Sequence, residues 1–170
     1  MLLLSELTHL FFSAIAAIVV WVVSNKKIKF KQALLLAVMA GFFIDLDHLF
    51  DYYLVYGTSF SLNDFITGKH FLLSDKMHIP FHGWEHVVIL AIVILIIKSE
   101  KVKIMLGVIM LSLFFHLGVD LITNKGLTFK SYSLISRIKN NFKIERLVTK
   151  EHYLKHREER ESYIFGPESN

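Results

Sequence analysis

The stretch A-G-F-F-I-D-L-D-H-L-F-D-Y-Y, residues 40–53, starts as an oily helix and then sets Asp45, Asp47, His48 and Asp51 within seven residues. Charges so placed are costly in an apolar surrounding, so the fold turns on which solvent the run meets. Composition favours a bilayer. The chain has 170 residues, 54% of them hydrophobic, and a mean hydropathy of +0.48, more apolar side chain than one soluble core of this size holds.

There is no cysteine, which excludes a disulfide framework and a thiolate metal site and leaves His, Asp and Glu as metal ligands. Nine histidines accompany a formal charge of +4. The cations come as short lysine clusters and a basic tail. That pattern points to membrane orientation, and no nucleic-acid partner is expected. The opening M-L-L-L-S-E-L-T-H-L-F-F has no cation ahead of its apolar run and carries Glu6 and His9, so a retained first span is expected in place of a cleaved signal peptide.

Working outward, four apolar segments emerge: residues 7–23, 32–48, 87–97 and 104–122. The third has only 11 residues, about half a bilayer at 1.5 Å per residue, and must take in F-H-G-W-E-H, residues 81–86, to cross. The expected fold class is all-α, an integral membrane four-helix bundle over residues 1–124. Residues 51–80 carry turn residues and aromatics suited to an interfacial lid or a pair of short helices. In residues 125–170, Tyr132, Ile135, Ile138 and Phe142 at helical spacing predict a basic amphipathic surface helix, followed by a charged tail.

Antiparallel spans bring the start of the first, the end of the second, the start of the third and the end of the fourth to one membrane face. His9, then Asp45, Asp47 and His48, then His82, Glu85 and His86, and then His116 and Asp120 occupy those ends. Asp45 and His48, His82 and Glu85, His82 and His86, and His116 and Asp120 are spaced i, i+3 or i, i+4, so each pair can face one way on a helix. Converging carboxylates repel unless a cation joins them, and a divalent metal relieves that repulsion. Imidazole with carboxylate suits Zn first, then Mn or Fe, as one or two ions. H-G-W-E-H also fits the H-x-x-E-H pattern of inverted zinc proteases, which needs a large soluble fold that this chain lacks.

The order of L-T-H, G-F-F-I-D-L-D-H, a short His motif and H-L-G-V-D resembles the membrane-bound metal-dependent hydrolases, also described as LexA-binding inner-membrane-associated hydrolases, across residues 1 to about 124. The resemblance implicates His9, Asp45, Asp47, His48, His82, His116 and Asp120. Two departures are visible. Ile44 stands where that family has proline, and F-H-G-W-E-H-V lacks the Arg, Thr and Ser of its third motif, which makes Glu85 a ligand or base.

The expected function is hydrolysis of a phosphoester or lipid-derived small molecule by metal-activated water, with Glu85 or Asp47 taking the proton. The alternative is a metal-binding membrane protein or transporter without turnover. A structural polar network is the plainer reading of the intramembrane residues. His9 taken alone reads as interfacial, Asp51 as a solvated cap, His70 and His78 as solvent-facing, and His152 and His156 as part of an exposed charged face. Gly41, Gly107 and Gly118 are expected to permit close helix approach. Lysines after the first span and before the fourth suggest a site on the extracytoplasmic side of a bacterial inner membrane, although Lys125, Lys130, Arg137, Lys139 and Lys143 pull the other way.

Overall fold

The computed structural model describes the backbone of residues 2–166 and the side chains of residues 7–166. Every regular element there is helical: α1 (Leu2–Val23), α2 (Phe30–Ile44), α3 (Asp47–Tyr56), α4 (Leu62–Ile66), α5 (Lys69–Ser74), α6 (Trp84–Ile96), α7 (Glu100–Thr123), α8 (Leu134–Lys139) and α9 (Lys150–Phe165), with a single 3-10 turn at Ile144–Arg146. The all-α expectation holds. The chain divides into two compact units, the first made of Met1–Asp45 and Phe81–Thr123, the second of Leu46–Pro80 and Asn124–Asn170.

In the first unit α1 packs on α2 and α7, α2 on α7, and α6 on α7. The contact surfaces mix small residues with larger apolar ones such as Val108 and Ile28. Ala16, Ala17, Ala33 and Ala37 are fully buried, and a Cβ on Gly41 would stand 2.7 Å from the Ser13 hydroxyl. The Ser112 hydroxyl donates to the Ala37 carbonyl at 2.8 Å and lies 3.0 Å from that of Ser13. Bulky apolar groups point the other way: Phe11, Leu35, Phe42, Leu95 and Ile122 are exposed. Buried small and polar residues therefore sit beside buried Ile44, Val108 and Leu117, while many large apolar side chains remain exposed.

Two helical runs are long and apolar enough to cross a membrane, Phe30–Tyr56 and Glu100–Thr123, while Leu7–Val23 and Trp84–Ile96 are shorter apolar helices. This corrects the expected third span. Gly83 is extended at φ −135°, ψ 128°, so α6 begins only at Trp84 and has 13 residues, about 20 Å of rise against a core of roughly 30 Å. The second expected span lies within Phe30–Tyr56 and is interrupted only at residues 45–46. Asp45 caps α2, its N–H turned to the Phe42 and Phe43 carbonyls, and helix resumes at Asp47.

The second unit has a conventional interior of Met77, Ile79, Ile144 and Leu147 with Phe71, Leu127, Val148 and Tyr153 around it. Backbone bonds tie its two chain segments together: the Met77 N–H donates to the Phe142 carbonyl at 2.9 Å and that of Ile144 to Asp75 at 3.2 Å. The fully buried Arg137 donates through Nη1 to the Ile79 carbonyl at 2.7 Å. Residues 46–80 therefore share a unit with the C-terminal part, where the sequence predicted a division at residue 124. The long amphipathic helix is also corrected. After the six residues of α8 the chain reverses through Asn141 and Phe142 at φ +53° and +60°. Tyr132 and Arg137 turn inward, which leaves Ile135 and Ile138 as the exposed part of the predicted stripe.

Candidate metal centre

His9 projects from α1, Asp45 caps α2, His82 lies in the turn before α6, and His116 and Asp120 stand one helical turn apart on α7. All five belong to the first unit. His9, His82, His116 and Asp120 are buried, while the Asp45 side chain is 32% exposed. The cluster so has one partly open wall.

The donors meet at His116 in two overlapping groups, one with Asp45 and His82 and one with His9 and Asp120. His82 Nε2 lies 3.3 Å from Asp45 Oδ1 and 3.6 Å from Asp120 Oδ2, and His116 Nε2 lies 3.3 Å and 3.4 Å from the same two oxygens. The four atoms alternate N, O, N, O around a ring. Neighbouring donors on one ion stand about 1.4 to 1.6 bond lengths apart, so such edges match bonds of roughly 2.0–2.5 Å, as divalent ions make to N and O. Charge-assisted N–H···O bonds would be shorter, about 2.7–2.9 Å. In keeping with that, neither ring nitrogen of His116 makes a hydrogen bond although the ring is 1% exposed. Asp120 Oδ1 faces His9 Nε2 at 3.3 Å. The His9 and His116 rings stack at 4.0 Å and 17°, an arrangement two imidazolium cations would resist.

Helix ends add to the field. Asp45 sits at the C-terminal end of α2 and Asp120 in the last turn of α7, and neither last turn holds a basic residue. Backbone carbonyls already give those ends partial negative charge, so a carboxylate there is disfavoured unless a cation meets it. Two donor groups, His9 with His116 and Asp120, and Asp45 with His82 and His116, bring their ligand atoms within 4.8 Å of one another. The buried cluster can hold a metal ion.

Asp47, His48, Glu85 and His86, also singled out in the sequence, lie on α3 and α6. Asp47 and His48 open α3 and belong to the second unit. Glu85 and His86 lie half-buried in the first turn of α6 and are in neither donor group of the first unit. Because α6 starts at Trp84, the helical spacing predicted for His82 with Glu85 and His86 does not operate.

Several expected surface residues are instead interior to the second unit. Asp51 is 0% exposed and accepts from the His78 backbone N–H at 2.9 Å, while its other oxygen meets His78 Nδ1 at 2.7 Å. His70 is 1% exposed with neither ring nitrogen hydrogen-bonded. It packs among Tyr52, Phe65 and Phe71, and burial pushes its pKa down to about 4. His156 is buried against Asp75 at 3.1 Å, with burial again lowering its pKa. Sequence offered a faint signal for these in the aromatic density of residues 50–71, since rings need a core to cover. Comparison with family models, with curated proteins and with solved structures finds no match for this chain.

Proposed function

We propose that this protein is a membrane-embedded, metal-dependent hydrolase acting on a phosphoester or lipid-derived small molecule. The observation that carries the reading is the alternating ring of His82, Asp45, His116 and Asp120 atoms at 3.3–3.6 Å, closed by His9 and drawn from three helices and a turn. The two long apolar helical runs, with the many exposed large apolar side chains of the first unit, support the membrane, and the motif resemblance to membrane-bound metal-dependent hydrolases supports the chemistry. Two His and two Asp suit Zn, with Mn or Fe next.

A divalent ion bound there supplies a Lewis acid and lowers the pKa of coordinated water toward neutrality. The chain's own residues do the rest. His82, His116, Asp45 and Asp120 would hold and orient the ion, and His9, 3.3 Å from the second oxygen of Asp120, would steady it. Glu85, three residues from His82, or Asp47, two residues from Asp45, would take the proton from the attacking water as its oxygen joins phosphorus and pass it to the ester oxygen, which departs as an alcohol. The open side at Asp45 gives a substrate at headgroup level its approach. The lysine loops flanking the helices favour placing this site on the extracytoplasmic side of a bacterial inner membrane.

The polar column argues for a site in preference to a conduit. It runs from the cluster through Ser13 and Ser112 and then meets the fully buried apolar side chains of Ala17, Ala37 and Val108. The test is metal analysis of the purified protein alongside phosphoesterase turnover. Wild type is expected to carry about one ion per chain, and Asp45→Ala and His116→Ala to lose it together with at least roughly 100-fold of turnover while remaining folded. Bound metal without turnover on any phosphoester would leave a metal-binding membrane protein. A metal-free wild type would end the proposal.

A further inference from the structure

At the end of the first unit away from the cluster, α1 and α7 leave a groove of about 280 Å³ lined by Val19, Val20, Val23, Ile104 and Gly107, with Ser24 and Lys103 completing it. Val20 is 11 residues beyond His9 on α1, and Gly107 is 9 residues before His116 on α7, so the groove lies roughly 14–16 Å along the helices from the candidate ligands. Its walls are aliphatic. Gly107 keeps the floor low, since a Cβ there would meet only Val20, at 3.8 Å. Ser24 and Lys103 are its polar members, and each stands on the terminal side of its helix.

That terminal side is strongly cationic. Lys26, Lys27, Lys29 and Lys31 follow α1, and Lys98, Lys101 and Lys103 surround the start of α7, against the single carboxylate of Glu100 within those two segments. The two segments meet directly, because Lys27 Nζ lies 2.6 Å from Glu100. Six of these lysines are exposed, while Lys103 is half-buried at the groove. An aliphatic slot ending in a half-buried ammonium within a field of cations matches an amphiphile with an acyl tail and an anionic head. A helical partner would need a broad face of small residues, and the exposed flank of α1 there, Val19, Val22 and Val23, carries only branched side chains.

We propose that this groove is a binding site for an anionic phospholipid, one acyl chain lying along Val19, Val20, Val23 and Ile104 and the phosphate paired with Lys103. The inference rests on the membrane reading and is independent of the catalysis. It makes the lysine-rich end the one held at the anionic leaflet, with the metal cluster toward the other.

Native mass spectrometry of the full-length protein, released from detergent after incubation with equal amounts of short-chain phosphatidylglycerol and phosphatidylcholine, tests it. Wild type is expected to retain one phosphatidylglycerol with at least about fivefold preference, the scale of one lysine at a headgroup. Lys103→Ala should bring the two lipids close to parity, the exposed Lys101→Ala should leave the preference intact, and Gly107→Leu should displace both lipids by filling the slot. Equal retention of the two lipids by wild type, or an undiminished preference in Lys103→Ala, overturns the proposal; the latter comparison stands even where Gly107→Leu disturbs packing. Metal content of the same preparations reads the catalytic proposal separately. Lipid selectivity without metal refutes the hydrolase alone, and metal without selectivity refutes this site alone.

Discussion

The two units of this protein differ in what they bury. The first encloses Ala17, Ala33, Ala37, Val108 and Leu117 beside the polar Ser13, Ser112, His116 and Asp120 and leaves Phe11, Leu35, Phe42, Leu95 and Ile122 exposed; the second encloses Met77, Ile79, Ile144 and Leu147 and carries exposed ion pairs on α9, Lys155 with Glu159 and Arg157 with Glu161. On the proposed membrane reading of the first unit, covering apolar area has no reward in an apolar solvent, and close approach of small residues with buried polar contacts holds the helices together. In the second unit removal of apolar surface from water is the main driving force. Both interiors contain histidine and aspartate, but for different ends. In the first they converge at 3.3–3.6 Å on one cluster, and in the second Asp51 and His78 satisfy one another at 2.7 Å.

The sharpest way to probe this contrast is pH. His70 is buried neutral in the second unit with its pKa lowered from 6.5 to about 4, so between those values the unfolded chain takes up a proton that the folded one refuses. Its contribution to stability is complete above pH 6.5 and is lost as pH falls toward 4, by about 3 kcal/mol in all. Urea unfolding of the second unit across that range should show the slope, and His70→Phe should flatten it; an unchanged slope would mean that His70 is hydrated. Next in size is Asp51→Ala, which leaves the His78 N–H and ring without their acceptor and should cost about 2–3 kcal/mol in the same measurement.

The first unit answers to volume in place of protons. Gly41→Val drives a side chain into Ser13, 2.7 Å from the new Cβ, and should destabilise the α1 and α2 contact by about 1–3 kcal/mol in detergent thermal unfolding. Gly118, with nothing within 4 Å of its added Cβ, is the matched control, and Gly118→Ala should change little. Equal effects at the two glycines would remove the small-residue account of this unit. The smallest effect is expected on the outer face of α9. There Lys155, 76% exposed and 3.7 Å from Glu159, should contribute under about 0.5 kcal/mol when replaced by alanine.

The candidate centre was largely legible in the chain. His116 and Asp120 needed only the four-residue spacing of a helix, and Asp45 needed only its place at the end of an apolar run. His82 was found for a partly wrong reason: its neighbour Gly83 is extended, so the side chain reaches the cluster from a turn, and the helical partnership read for Glu85 and His86 dissolves. Gly118 was grouped with Gly41 as a site of close approach, yet only Gly41 meets a neighbouring helix closely. Identity shows that a glycine can permit contact; it does not show which face of the helix a neighbour occupies. Asp51, His70 and His156 read as surface residues because nothing local distinguishes a solvated polar side chain from one enclosed by segments distant in the chain.

By itself, the order of residues determined that the protein is helical, that its apolar runs exceed what one soluble core needs, and which imidazoles and carboxylates stand at the ends of those runs, because helical period and hydropathy are local properties. Tertiary structure alone decided that residues 46–80 join the C-terminal segment, that Arg137 lies inside, and that Asp45, His82, His116 and Asp120 stand 3.3–3.6 Å apart in alternation. Those outcomes depend on contacts between segments tens of residues apart, whose free energies no stretch of sequence expresses until the chain has closed on itself.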